Sequence, residues 1–254
     1  MNKVFMAYAM EQQEKLRRDV ERLHRKDRNK DEFMATLAHE LKNPLTPILT
    51  GISYIENSTD PEDREKIIKI IRRQMNSVTA MIDDLLDVTR ISKGKIAFEK
   101  KPISIYEVLG QAIHEADTLI MEKGHMLNKD LPSQTLLVYG DRLRLSQVFV
   151  NILSNAAKYT PQGGTISISS VKENGHVLIS IADNGEGIPK EEQDQIFDMF
   201  NQVEDQALYA QGGLGIGLNL VKRLVTMHEG TVSVVSEGKG KGSTFTVSLP
   251  DYVN

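Results

Sequence analysis

The stretch Phe33-Met-Ala-Thr-Leu-Ala-His39-Glu40-Leu-Lys-Asn43-Pro44-Leu45 decides how the whole chain is read. One histidine stands beside one carboxylate in a run that otherwise keeps helical spacing. Upstream, Leu16, Val20 and Leu23 alternate by four and three among Glu, Gln, Arg and Lys. The same register reaches Met34, Leu37 and Leu41, interrupted by polar Asp27 and Lys30. That is a coiled-coil seam with a weak middle, and residues 1–27 are expected to be an N-terminal helix of this kind. A single solvated helix packed on its own domain is the alternative. His39 falls two positions before Leu41, off the seam, which predicts a solvent-facing, usable imidazole.

Below the histidine, Pro44 lacks the N–H that would bond the Glu40 carbonyl, and Pro47 follows. Apolar positions nevertheless resume at Leu45, Ile48, Leu49, Ile52 and Ile55, so a bent helix is expected rather than a stop. Asn57-Ser-Thr-Asp60-Pro61 reads as a turn, with Asp60 as N-cap and Pro61 in the first helical position. In the next helix Ile68, Ile71, Met75, Val78, Ile82, Leu85 and Thr89 recur by three and four. Two such antiparallel helices bury too little alone. Doubling them into a four-helix bundle covers both stripes, which implies a homodimer.

Ser92-Lys-Gly94-Lys95 reads as a short linker into a region of mixed strands and helices. Ile96-Ala-Phe98 is a candidate strand, and Ser104-x-x-Glu107 is a capping box opening a helix to about Met121. Thr135–Tyr139 is expected to be a strand, and Asp141 to cap a helix that ends near Tyr159 before Thr160-Pro-Gln-Gly-Gly164. Two apolar strands, Thr165–Val171 and His176–Asp183, flank a hairpin turn at Asn174-Gly175. A helix over Gly217–His228 and strands at Thr231–Ser236 and Ser243–Leu249 complete the order. Strands with helices gathered between them predict an α/β sandwich with one helical layer rather than alternating βαβ units.

Composition removes several function classes. The net charge of -4 gives no nucleic-acid surface, and the tyrosines are not interleaved with basic residues. Cysteine is absent, which excludes disulfide and thiolate-metal frameworks. No apolar run approaches the length of a membrane span, so a soluble, cytoplasmic piece is expected, whose parent is free to be membrane-bound. His24, His114, His125, His176 and His228 show no metal-ligand spacing and read as surface or packing residues.

The second half carries a candidate nucleotide site. Asn151, Asn155 and Lys158 share one helix face, where carboxamide oxygens suit a hard cation and a lysine suits phosphate. A buried capping network is the alternative for the asparagines. Asp183-Asn-Gly185-Glu-Gly187-Ile188 ends a strand, and the aspartate there can accept from an exocyclic base amine. An Asx-capped turn fits that run equally well. Gly212-Gly213-Leu214-Gly215-Ile216-Gly217-Leu218 precedes a helix, and bare amides at a helix start favour anions. The polar run from Asp198 to Gln211 has no regular pattern and is expected to act as a lid over nucleotide.

Taken together these segments resemble the catalytic core of a two-component sensor histidine kinase. His39-Glu-Leu-Lys-Asn-Pro-Leu45 resembles the phosphoacceptor box, Asn151–Thr160 the N box, and Asp183–Ile188 the first glycine box. Phe197-Asp-Met-Phe200 resembles the F box and Gly213–Gly217 the second glycine box, all in the family's order over about residues 28–250. The resemblance implies an N-terminal signalling or coiled-coil helix over 1–27 and a dimerisation and histidine phosphotransfer domain over 28–92. It implies a catalytic ATP-binding domain of the histidine kinase/chaperone ATPase type over 93–254. It further implies His39 as phosphoryl acceptor, Glu40 as the acid that orients or deprotonates it, and Asn43 as the residue that positions water for dephosphorylating a partner. Asn155 would hold Mg²⁺ with Asn151 beside it, Lys158 would meet phosphate, Tyr159 would line the nucleotide and Asp183 would bind the adenine amine. Gly185, Gly187, Ile188, Gly213, Leu214, Gly215, Ile216, Gly217 and Leu218 would shape the ATP pocket. The implied partners are a second copy of the chain and the receiver domain of a response regulator. Two features depart from the pattern: Ile216 stands where leucine is commoner, and residues 198–214 hold no Lys or Arg. An ATPase of the same superfamily, or a nucleotide-binding scaffold without turnover, are the rival readings.

Overall fold

The computed structural model describes residues 17, 34–58, 60–132, 136–198 and 215–252. The seam expected over 1–27 therefore lies outside the described residues except for Arg17, as do Thr135, Phe200, Gly213, Leu214 and most of the expected lid. The chain divides into two compact units, residues 1–78 and 79–254.

In the first unit, helix α1 (34–57) runs through Pro44 and Pro47 without interruption, as the resumed apolar spacing predicts. The turn beyond it is capped as expected. The Glu62 N–H donates to Asp60 Oδ1 at 2.9 Å, and Pro61 opens helix α2 (Pro61–Ser92). The two helices pack closely at Gly51, where an added Cβ would stand 3.0 Å from both Ile67 and Ile71. Nearer the turn, Tyr54 Oη donates to Asp63 Oδ2 at 3.2 Å. Leu45, Leu49, Ile52, Ile68 and Met75 remain exposed, an apolar surface that one hairpin does not cover.

The second unit begins with the last turns of α2, where Asp87 and Val88 are buried. Strand β1 (Lys101–Ser104) follows, then helix α3 (Ile105–Glu122), strand β2 (Met126–Asp130), strand β3 (Leu137–Gly140) and helix α4 (Arg142–Tyr159). Strands β4 (Thr165–Glu173) and β5 (His176–Asp183), helix α5 (Gly217–Met227) and strands β6 (Thr231–Val235) and β7 (Ser243–Pro250) complete it. The main sheet has the order β2-β4-β5-β7-β6, and β1 pairs separately with β3. Ile166, Ile168, Val177, Ile179, Ile181, Phe245, Val247 and Leu249 form the buried face, while Ser167, Ser169, Ser180, Thr244, Thr246 and Ser248 alternate with them. Period-two patterning thus puts one face against α4 and α5, with α3 packed on α4, and leaves a hydroxyl-bearing face on the other side. The hairpin turn has φ of 50° at Asn174 and 77° at Gly175, the left-handed pair that the Asn-Gly dipeptide favours.

Two expectations are corrected and one strand is added. Residues 95–100 form no strand. The Glu99 N–H is taken by Asp141 Oδ2 at 2.9 Å and the Phe98 ring lies edge-on to His228 at 4.7 Å, so strand pairing starts only at Lys101. Ser104 is the N-cap of α3, but its side chain makes no capping bond, and Glu107 instead pairs with Arg142 at 3.2 Å. Strand β2 is an addition: it lies parallel to β4 at the sheet edge, where only Leu127 is even half-buried.

His228 acts in packing. Its Nδ1 donates to the Leu224 carbonyl at 2.7 Å, and its Nε2 accepts the Asp141 N–H at 3.0 Å, which fixes a neutral tautomer. Burial holds its pKa below the ordinary histidine value.

At the foot of α2, Arg144 Nη1 meets Asp87 Oδ2 at 2.6 Å and Gln147 Nε2 donates to the same oxygen at 3.0 Å. Burial, reinforced by the Asp87 charge, pushes the nearby Asp84 carboxyl up to about 6. The folded protein therefore binds more protons than the unfolded chain between the ordinary aspartate value of 3.8 and about 6. Asp84 favours folding fully below that window, and this contribution is lost as pH rises through it. Asp84→Asn is expected to raise stability at pH 7.5 by roughly 1–3 kcal/mol and by about half as much at pH 5, measured by urea unfolding at the two pH values. An equal gain at both would show that the carboxyl's titration is not its cause.

Candidate nucleotide and phosphoacceptor sites

Helix α4 carries its core on one side, with Leu145, Val148, Phe149, Ile152, Leu153, Ala156 and Ala157 buried. Asn151, Asn155 and Lys158 come round on another side at helical spacing, each half-buried. Asn151 Nδ2 is buried and has no hydrogen-bond partner among the described residues. A buried donor without an acceptor is costly, and an anionic oxygen would satisfy it. Gly217, the first residue of α5, faces this carboxamide: a Cβ there would lie 3.5 Å from Asn151 Oδ1. The N-cap of α5 is Ile216, which offers no side chain to the first amides, so that helix start is open to an anion. Gly215 has a φ of 62° and leads the chain into this turn. Ile216 is itself buried core, and Leu218 is half-buried.

The C-terminal end of α4 meets the first glycine box. The Glu186 N–H donates to the Tyr159 carbonyl at 3.1 Å, and a Cβ on Gly185 would lie 2.5 Å from that oxygen. Gly187 combines a φ of 69° with a still closer approach, 2.1 Å from its Cβ position to the Gly238 carbonyl. Only glycine fits either place. Lys158 Nζ lies 4.8 Å from the centroid of the Tyr159 ring and donates to its hydroxyl at 3.2 Å.

Asp183 is held from several sides. Oδ1 accepts from the Gly185 N–H at 2.9 Å and the Ser243 N–H at 3.3 Å, and Oδ2 accepts from Ser243 Oγ at 2.6 Å. The donors orient the carboxylate, and the lone-pair capacity left on Oδ2 suits an amine. Ser243 was not among the residues picked out by motif, nor was Ser236. The Ser236 hydroxyl donates to the Gly242 carbonyl at 2.6 Å and accepts from the Ile188 N–H at 3.0 Å. Gln193 Nε2 adds bonds to the carbonyls of Ile188 and Ser236, at 3.0 and 2.8 Å. The glycine-rich turn between β6 and β7 thereby braces the first glycine box. Tyr159, Asp183, Gly185, Gly187 and Ile188 are thus tied together at the end of β5, while Asn151, on the same helix as Tyr159, faces Gly217. The donor set fits a purine nucleotide: an acceptor for an amine, a carboxamide donor unpaired among the described residues, and a helix start whose N-cap side chain takes none of its amides.

In the first unit, His39 is exposed on α1 as its position off the seam predicts. Glu40 is only 5% exposed, and Asn43 Nδ2 donates to its Oε1 at 3.4 Å.

A helical hairpin bearing an exposed histidine and a sandwich bearing a nucleotide-type pocket define a class of phosphotransfer protein. Residues 29–94 match the family described as the His Kinase A (phospho-acceptor) domain. Residues 140–253 match the Histidine kinase-, DNA gyrase B-, and HSP90-like ATPase family. The chain belongs to the sensor histidine kinases and contains their catalytic core. It is 34% identical over 228 residues to the circadian input-output histidine kinase CikA of Synechococcus elongatus, covering 87% of this chain and 30% of that protein. With the adaptive-response sensory kinase SasA of Thermosynechococcus vestitus it shares 33% over 247 residues, covering 93% of this chain and 64% of that protein. The chain thus spans less than two thirds of these relatives' length. Its fold is also that of histidine kinase ThkA, solved in complex with response regulator TrrA, with a TM-score of 0.64 and 24% identity over 87% of this chain and 61% of that one. Among the described residues no helix is long and apolar enough to cross a membrane.

Proposed function

We propose that the chain transfers the γ-phosphoryl group of ATP to His39 and passes it on to an aspartate of a response regulator. The observation that carries this reading is the pairing, in one chain, of an exposed histidine beside a buried glutamate with a pocket whose Asn151 donor has no partner among the described residues. An imidazole nitrogen of His39 forms a bond to the γ-phosphorus as the bond to the ADP oxygen breaks. Glu40 holds or receives the imidazole proton, and its contact with Asn43 fixes its placement on the helix. Asp183 binds the adenine amine, Tyr159 lines the nucleotide, and Asn151, Lys158 and the α5 amides meet the phosphates. Asn155 would hold Mg²⁺, which when bound neutralises phosphate oxygens. The resemblance gives Gly213 and Leu214, which lie outside the described residues, the same nucleotide-binding role, and Asn43 positions water when the partner is dephosphorylated.

The proposed division is a phosphotransfer domain over residues 28–92 and an ATP-binding domain over 93–254. The exposed apolar stripe of Leu45, Leu49, Ile52, Ile68 and Met75 supports a homodimer built as a four-helix bundle. A cytoplasmic location is part of this reading, as the place where ATP and a receiver domain meet. The test is incubation of the chain with γ-labelled ATP and Mg²⁺, followed by mapping of the label. Acid-labile label on His39 is expected. Phosphate release without a phosphoenzyme would replace this reading with an ATPase.

A further inference from the structure

Asn219 lies on α5 two residues past Gly217 and is 8% exposed. Its Nδ2 donates to the Phe197 carbonyl at 2.9 Å, and its Oδ1 accepts from Arg223 Nε at 2.8 Å. Arg223 Nη1 in turn donates to Ser92 Oγ at 3.0 Å, and that hydroxyl donates to the Val88 carbonyl at 2.8 Å. The guanidinium can only donate and the carbonyl can only accept, so the carboxamide has one orientation that serves both. A buried position on a helix face ordinarily takes an aliphatic residue, and asparagine is a poor helix former. Here it ties its own helix directly to Phe197 and, through Arg223, to Ser92.

Each end of this chain of bonds has a defined place. Phe197 is buried, and its ring stands edge-on to Phe245 at 6.3 Å. Phe245 shares the buried face of β7 with Ser243, the residue that holds Asp183. Ser92 is the last residue of α2, the second helix of the phosphoacceptor hairpin. Its hydroxyl reaches the Val88 carbonyl four residues back only while that last turn is helical, so Arg223 finds an oriented acceptor only on an intact helix end.

We infer that Asn219 and Arg223 are positioning residues that set the Phe197 wall of the nucleotide site by reference to the last turn of α2. This rests on the proposed function in taking the site beside Phe197 as the ATP site. The hydrogen-bonded relay itself does not depend on that reading.

The test uses the full chain and two readouts: ATP dependence of autophosphorylation, and hydrogen–deuterium exchange of residues 188–198 without nucleotide. The Ile196 and Asp198 amides are bonded within this segment, so exchange reports how firmly it is held. Ser92→Ala and Arg223→Ala should each raise the KM for ATP about 3–10-fold, less than the roughly 10–150-fold of a charged hydrogen bond lost at the ligand itself, because only part of the loss reaches the site. Both should also speed exchange at 196–198. Ser92→Thr, which keeps the hydroxyl, should match the wild type, and the double variant should be no worse than Arg223→Ala alone. Unchanged KM and exchange in Arg223→Ala, a Ser92→Thr variant as impaired as Ser92→Ala, or additive effects would each overturn the relay. Should the wild type form no phosphohistidine, the kinase reading fails. Exchange then decides the relay by itself, faster exchange in Ser92→Ala sustaining it and unchanged exchange overturning it.

Discussion

Labelling by γ-labelled ATP should fall below detection when His39 is replaced by Gln, while ATP affinity stays within about twofold of the wild type, since less than 0.5 kcal/mol of binding energy is then involved. Glutamine keeps the length, polarity and helix propensity that this exposed position on α1 asks for, so the hairpin should be undisturbed. What it lacks is a nitrogen with a free lone pair to bond phosphorus, because the carboxamide nitrogen is delocalised into its carbonyl. The groups assigned to ATP (Asn151, Tyr159, Asp183 and the start of α5) all belong to the other compact unit. Binding and transfer should therefore separate cleanly in this variant. Acid-labile label persisting in His39→Gln would move the acceptor elsewhere. Lost nucleotide binding would show that the first unit contributes to the pocket.

Local signals explain why so much of this fold was legible. Asp60-Pro61 and Asp141 each announced a helix start, and both carboxylates accept the backbone N–H expected of an N-cap. Asn174-Gly175 fixed a hairpin because its backbone angles suit few other residues. Where two local options competed, tertiary contacts chose. Glu107 had a capping role available three residues from Ser104 and went to Arg142 instead. Strand β2 was invisible because Met126-Leu-Asn-Lys-Asp130 gains its order from lying beside β4 at an edge, with almost nothing to bury. The site divides along the same line. Asn151, Asp183 and the glycines stand within recognisable runs. Ser243 reaches Asp183 across 60 positions of chain, and only the β5–β7 register, Asp183 opposite Ser243, brings them together. Asn219 was hidden for a related reason: Arg223 is its neighbour one turn on, but the Phe197 carbonyl that takes its amide lies 22 positions back, outside its helix.

Asp183→Asn is the sharpest test of the pocket, because it changes one acceptor and leaves the local framework a way to persist. In the native arrangement Oδ1 takes the Gly185 and Ser243 N–H groups, and Oδ2 takes the Ser243 hydroxyl. A carboxamide can keep its oxygen on the two amides, turn its nitrogen toward Ser243 and let that hydroxyl reorient as acceptor. The fold should then lose little, and thermal unfolding should stay near that of the wild type. The adenine amine, however, would meet an N–H in place of a carboxylate lone pair. Losing a hydrogen bond to a charged acceptor costs roughly 1.5–3 kcal/mol, so ATP affinity should fall about 10–150-fold in calorimetric titration. GTP carries a carbonyl where ATP carries the amine and should gain relative to ATP in the variant, because a donor now faces an acceptor. Unchanged ATP affinity would remove Asp183 from the base-binding role and leave it as a brace between β5 and β7. A parallel loss for both nucleotides would point to collapse of the glycine turn rather than to recognition of the base.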